Sequence, residues 1–485
     1  MLLTTCALTA VIIIVYLIKT SVKPKNFPPG PQWYPIIGSS NVVKRMQQKH
    51  GSQFKGLLEL AKEYSTQVLG LKLGRELMVV VYGEKNAHQA FTDQAFDGRP
   101  KTFFLKLRCL GTRLGITCTD GPLWREQRQY TVKQLKNVGF GKTHMEKQIQ
   151  NDLESILEYI EKNRHKPINP NHVFSQAVIN TIWKYIAGKR IEDQKLDLLL
   201  DIFSERSKAF GMAGGLLNVA PWCRFLLPEY SGFNLIMKLN RQLSDIIEEA
   251  INAHKNKEVE CPDFIYSYLE EIKENNGNFN ELQLKIICLD LIIAGSQTTG
   301  NSLKFAILRV VREKRMQELI YQEIKEHIGD NTPSWSDSVK LVYTSAFLLE
   351  VYRYYAIAAF IGPKRVMENT VMDGYHIPKD TTVLISVYDL HFDPEIWKDP
   401  HEFKPERFID EDGNLKHPEH LYSFGLGRRR CPGDSLARSF LFIVFVGIIQ
   451  KYFIQWDEDA PPCDEPIIGL IMSPKPFSVQ FVPRS

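Results

Sequence analysis

Ten residues late in the chain have types and spacing that could do chemistry: Phe424-Gly425-Leu426-Gly427-Arg428-Arg429-Arg430-Cys431-Pro432-Gly433. Gly425 and Gly427 permit a tight turn beside a flat object, and Pro432 and Gly433 shape the start of a helix near Asp434. Backbone N–H groups aimed at a sulfur from a helix N-terminus lower the thiol pKa and stabilise the thiolate. A single thiolate in a glycine turn with an arginine nearby suits an axial ligand to haem iron with an anionic partner. For Cys431 taken alone, a buried free cysteine after a basic loop is the plain alternative.

Three further constellations accompany it. Trp124-Arg125-Glu126-Gln127-Arg128 opens a helix after Asp120-Gly121-Pro122, so that Trp124 and Arg128, four apart, turn an indole N–H and a guanidinium fork toward one anion. The start of a solvated amphipathic helix is the other reading. Glu350 and Arg353, in a helical stretch over 345–355, share a face three residues apart and can pair. Ala294-Gly295-Ser296-Gln297-Thr298-Thr299-Gly300 places small and hydroxyl residues inside an otherwise apolar, proline-free helix that begins at Asn280, with Gln283 giving capping-box character. A packed helix crossing would equally explain Ala294 and Gly295.

Basic residues cluster on these same segments: Arg125, Lys133, Lys136 and Lys142, with Arg428, Arg430 and Arg438. They form either a solvated face or a positive patch that docks an acidic electron donor. No GxGxxG follows a strand and no P-loop occurs, so electrons for any redox chemistry must arrive from a partner.

Elements must position these residues. Short strands are predicted at 68–73 and 78–82 around a turn at 74–76, helices over most of 121–367, a strand at 381–387, an irregular proline-rich tract over 394–427 and an apolar helix over 435–451. The expectation is a mainly α, helix-rich α+β body with small edge sheets, forming one large domain over 27–485. Before it, Leu2 to Ile18 is a 17-residue, mostly apolar, uncharged run followed by Lys19, Lys23 and Lys25, which reads as a retained signal anchor over 1–26 with the body cytosolic. Phe27-Pro28-Pro29-Gly30-Pro31 then forms a stiff elbow. With 485 residues, 44% hydrophobic and 24% charged, the chain is neither disordered nor a disulfide-stapled module, and it can enclose a large ligand pocket. A net charge of +4 argues against nucleic acid as the main partner. Eight cysteines without a CxxC pair match no zinc template, and they read as mostly free thiols facing a reducing compartment.

From about Pro28 to Val482 the sequence resembles the cytochrome P450 family of haem-thiolate monooxygenases, with four motifs in family order. Phe96-Asp97-Gly98-Arg99-Pro100 and 115–121 look most like animal microsomal members, within them the insect branch that includes methyl farnesoate epoxidases. The resemblance implies haem b held by Cys431, with Ala294, Gly295, Phe424 and Gly433 around it, and Trp124, Arg128 and Arg429 on its propionates, to which Lys364 or Arg365 is a possible addition. It implies a structural Glu350–Arg353–Arg407 network and a distal kink in which Thr298 steers protons to dioxygen. At Gln297 the chain departs from the family's usual Asp or Glu, and an amide cannot deliver its own proton by titrating. The resemblance further implies an endoplasmic reticulum membrane protein, with electrons from NADPH through a cytochrome reductase or from cytochrome b5. A lipophilic substrate (terpenoid, steroid or xenobiotic) would be hydroxylated or epoxidised in a pocket lined by 103–116, 203–217, 293–298 and 356–361. A lipid-hydroperoxide isomerase or dehydratase on the same fold, or a non-catalytic haem carrier, are the alternatives.

Overall fold

The computed structural model describes residues 20–209, 215–259, 262–274, 277–456 and 461–484, with isolated positions before residue 20. The expected anchor run over 2–18 lies for the most part outside the described residues. Among the described residues no helix is long and apolar enough to cross a membrane. The body is helix-rich with small sheets, as the hydrophobic periodicity predicts.

The helices that build the site are α1 (Phe103–Arg108), α2 (Gly121–Asn137), α3 (Pro170–Ala187), α4 (Asp193–Ala209), α5 (Glu281–Arg312), α6 (Val342–Tyr355) and α7 (Asp434–Lys451). Two of them form the centre of the core. Helix α5 runs for 32 residues, and α7 is apolar all round and buried from Ser439 to Gln450, the pattern of a helix enclosed by others rather than an amphipathic surface helix. The start of α5 is fixed as expected, since the Asn280 side chain accepts from the Gln283 N–H at 2.9 Å. The capping box does not close. The Gln283 amide turns instead to Gly115, accepting its N–H at 3.2 Å and donating to its carbonyl at 3.4 Å, which ties the loop before α2 to α5.

The principal sheet has four strands, β1 (Val68–Leu73), β2 (Glu76–Val81), β3 (Phe360–Arg365) and β4 (Thr382–Ser386), in the order β1-β2-β4-β3. The β1/β2 hairpin and β4 match the expected strands; β2 and β4 pair in parallel, with Met78 opposite Thr382. The helical reading that extended to Met367 fails at β3. This segment contains Gly362-Pro363, where its antiparallel pairing with β4 shifts register, and its partner lies some twenty residues later. The proline elbow at 27–31 is docked on the body: the Gly70 N–H donates to Pro29 O at 2.7 Å, and Phe27 is buried.

Candidate active site

The Cys431 loop is built by glycine. Gly427 has φ +68°, and a Cβ there would lie 2.6 Å from the Phe91 carbonyl oxygen, so no other residue fits that backbone without displacement. The loop closes with the Cys431 N–H donating to Phe424 O at 2.9 Å, and α7 starts three residues after the cysteine. Cys431 is exposed in surface area, yet protein surrounds it closely enough that desolvation pushes its thiol up. The Gly433 N–H, Arg128 and Arg430 act in the opposite direction and favour the thiolate.

Beside the loop, Arg429 stacks over the Trp124 ring at 3.6 Å and Arg128 stands 5.8 Å from the same ring. Arg429 donates to Asp97 O at 3.0 and 2.7 Å and to Thr119 O at 2.8 Å, and Arg128 donates to the carbonyl of Arg430. Two buried donors are left with no acceptor, Trp124 Nε1 and Arg429 Nη1. Burial, and then the nearby Arg99, bring the Arg429 guanidinium down to about 8. Buried donors and a destabilised cation are what an anion would satisfy, so the donor set fits a haem carrying propionates beside a thiolate ligand.

Two expectations change here. Arg365 is engaged by Asp120 at 2.9 Å and Asp380 at 2.7 Å, and Lys364 donates to the carbonyls of Ala90 and Phe91, the latter at 3.3 Å. Two carboxylates hold Arg365, so it does not extend the anion-binding set; Lys364 is held by carbonyls, as is the Arg99 side chain, which lies in the same cluster. Arg99 is braced on Thr117 O (2.9 Å) and Pro363 O (3.0 Å), close enough to Arg429, Arg128 and Lys364 for mutual repulsion. Arg99 lies in the segment quoted for the resemblance, but nothing in its spacing from Trp124 or Cys431 reveals the convergence.

Across from the loop, α5 lines a narrow slot with Thr298, Thr299 and Ser302, closed by Ala356, Ile357, Ala358, Phe424 and Ala437. Ala294 is exposed, although it lies in an apolar helix. The Thr298 hydroxyl donates to Ala294 O at 3.0 Å, which leaves its oxygen lone pairs as acceptors. Gly295 faces elsewhere: a Cβ on it would meet Ile182 of α3 at 2.3 Å, so it serves the close crossing of α3 and α5 rather than the slot. Gln297 also turns away, donating through Nε2 to Phe203 O of α4 at 3.0 Å.

Behind the loop, Arg353 meets Glu350 through two parallel bonds of 2.7 Å, and Arg407 adds a third at 3.1 Å. All remaining Arg353 donors find carbonyls: His391 O (2.7 Å), Pro400 O (2.8 Å) and Glu402 O (3.2 Å). The triad pins the irregular tract over 394–427 to α6. The basic patch is part neutralised, with Arg428 on Asp97 and with Arg430 and Arg438 on Asp434. Among the described residues Arg125, Lys133, Lys136 and Lys142 have no carboxylate partner, and they line an open cavity of about 750 Å³ beside Trp124.

Residues 28–481 match the family model described as cytochrome P450. The chain is similar to "Probable cytochrome P450 305a1" of Drosophila melanogaster, at 39% identity over 99% of each chain. It is also similar to "Farnesoate epoxidase" of Bombyx mori, at 35% identity over 98% of this chain and 97% of that one, and to "Cytochrome P450 2U1" of Bos taurus, at 30% over 94% and 89%. The family binds haem through a cysteine thiolate, and a chain matched over nearly its whole length, with a cysteine-bearing glycine turn whose Phe424 lines a hydroxyl-bearing slot, is a monooxygenase that belongs to the cytochrome P450 family.

Proposed function

We propose that this protein oxygenates a lipophilic, terpenoid-sized molecule at the endoplasmic reticulum membrane, with electrons from NADPH delivered by a reductase. The observation that carries the reading is that Phe424 of the Cys431 turn and Thr298 line one slot, with the buried donors Trp124 Nε1 and Arg429 Nη1 beside the turn. In this reading Cys431 would ligate the haem iron, and Trp124, Arg128, Arg429 and Arg99 would hold the propionates. Haem bound there supplies dioxygen binding and oxygen transfer. The chain's part is positioning and proton handling. The Gly433 N–H, Arg128 and Arg430 hold charge on the Cys431 sulfur. Thr298 Oγ1 accepts from a water and passes protons along the slot, whose lining residues include no carboxylate.

An apolar cluster of Phe104, Leu107, Leu217 and Ile236, with Phe103 and Phe233 against it, supports a lipophilic substrate. The farnesoate-epoxidising relative makes a sesquiterpenoid the first substrate to try. Residues 1–26 are taken as the anchor and 27–485 as the catalytic domain. Membrane association is supported by Trp222, Phe225, Leu226, Leu227 and Tyr230, which are 51–81% exposed, next to a segment that carries exposed Tyr34 and Ile36. The two are brought together where Gly74 approaches the Val219 backbone and donates to Ile37 O. The cavity ringed by Arg125, Lys133, Lys136 and Lys142 supports docking of an acidic donor, the reductase or cytochrome b5.

The test is the absorbance difference spectrum of the dithionite-reduced, CO-bound protein. A strongly red-shifted Soret band is expected, and a band at the position of histidine-ligated haem, or none, overturns the Cys431 assignment. Reconstitution with reductase, NADPH and methyl farnesoate then tests the substrate class. Turnover of a lipid hydroperoxide without NADPH would instead favour the isomerase reading.

A further inference from the structure

The half-buried amide of Gln297 makes a contact that the slot does not use. Successive helix residues point about 100° apart, so with Thr298 facing the slot its neighbour looks toward another element. That element is α4, where the Phe203 carbonyl accepts from Gln297 Nε2 at 3.0 Å, and Phe203 itself is buried. Helix α4 is also held by Arg206, one turn after Phe203, which donates to Arg108 O at 3.3 Å at the end of α1. It therefore carries two polar ties, one to α1 and one to α5, along the segment expected to roof the substrate pocket.

We infer that Gln297 is a positioning residue, an amide clamp that holds α4 down on α5 over the pocket. The chemistry of the contact explains the residue type. A carbonyl acceptor requires a donor, which an amide supplies at every pH. A carboxylate would set acceptor against acceptor and drive α4 away; only a protonated carboxyl restores an O–H donor. The family's usual acid cannot make this tie at neutral pH. The inference rests on the proposed function only in taking the space beneath α4 as the substrate pocket.

The experiment uses the full-length, haem-loaded protein as wild type, Gln297→Glu, Gln297→Leu and Gln297→Met, the last a near-isosteric non-donor in case the leucine variant does not fold. Two readouts are taken at pH 5.5 and pH 8: hydrogen exchange of residues 193–209, and affinity for clotrimazole from the Soret shift. Losing one hydrogen bond should speed exchange and weaken clotrimazole binding by roughly two- to tenfold in the leucine and methionine variants at both pH values. Gln297→Glu should behave like them at both pH values, because a carboxyl with the ordinary glutamate pKa is still ionised at pH 5.5. Wild type carries the same neighbouring Arg206, Arg108 and Asp290 and so controls for titration elsewhere. Wild-type behaviour in the leucine or methionine variant, or in Gln297→Glu at pH 8, overturns the clamp. Tighter coupling of NADPH use to product in Gln297→Glu, with exchange over 193–209 unchanged, overturns it in favour of a proton-delivery role. The exchange result stands even if the wild-type CO band is absent, so failure of the clamp and failure of the functional reading are told apart.

Discussion

At the scale of single residues, the site is a contest between burial and charge. Burial and Arg99 depress the Arg429 guanidinium, and burial and the same arginine bring Lys364 down to about 7. The carboxylates beside this group are Asp97, already shared between Arg428 and, at 4.0 Å, Lys364, and Asp120, held by Arg365 and Arg113. An incoming anion therefore removes repulsion as well as making bonds. Trp124→Phe keeps the ring stacked under Arg429 but deletes the N–H, and should speed haem loss to apomyoglobin roughly tenfold, as expected for a hydrogen bond to a charged group. Arg99→Ala should do at least as much. Wild-type haem retention in both variants would remove them from the binding set.

At the scale of elements, two devices hold the Cys431 loop. Its own turn is one: Gly427→Ala would put a methyl group 2.6 Å from Phe91 O at a positive φ, and the loop must shift. Substoichiometric haem and a diminished red-shifted CO band are expected, with the far-ultraviolet circular dichroism kept. The other is the buried Glu350–Arg353–Arg407 triad, in which Glu350 and Arg353 have no solvent exposure. Glu350→Gln strips Arg353 of its countercharge while its carbonyl partners remain, a loss on the order of 3–5 kcal/mol for a broken buried pair. Thermal unfolding should show a fall in Tm too large for a surface substitution, together with little haem. The Glu–x–x–Arg spacing was legible in the sequence because helix geometry fixes it. The third member, Arg407, is implied by the family resemblance, whereas the carbonyls of His391, in a short helix over 387–392, and of Pro400 and Glu402, in the tract without periodicity, are brought in only by the fold.

At the scale of the whole molecule, the edge hairpin meets the segment beside the exposed apolar patch. Glu76 of β2 accepts from Asn218 Nδ2 at 3.2 Å, and burial raises its carboxyl to about 7. The folded state thus holds a proton that the unfolded chain releases near the ordinary carboxyl value. The associated stability is present below about 4.5 and is lost as pH rises through about 7. Glu76→Gln keeps an acceptor for Asn218 and has no charge to bury. It should flatten that decline, so that wild type and variant differ more at pH 8 than at pH 5 in denaturant midpoint. Equal differences at both pH values would refute the assignment. The positive cavity beside Trp124 acts on the same scale: reductase-supported turnover should fall as ionic strength rises, while the CO band does not change.

The sequence by itself determined the chemistry-bearing turn, the helix-rich class, the long helix from Asn280 and the pairing of Glu350 with Arg353, because glycine placement, capping and helical period are local properties that survive without tertiary contacts. What it left open was where side chains point once helices cross. Gly295 reads as a residue beside the haem until Ile182 is seen against it, and Gln297 only as a departure from the family's usual acid until its amide is found on Phe203 O. Gln283 fits a capping box until the loop at Gly115 claims its side chain. Strand β3 and the place of Arg99 depended on partners far along the chain, β4 for the one and Arg429 for the other. Neither hydrogen-bond partners nor electrostatic neighbours are encoded by spacing when they come from separate segments, and at this site the tertiary structure alone supplied them.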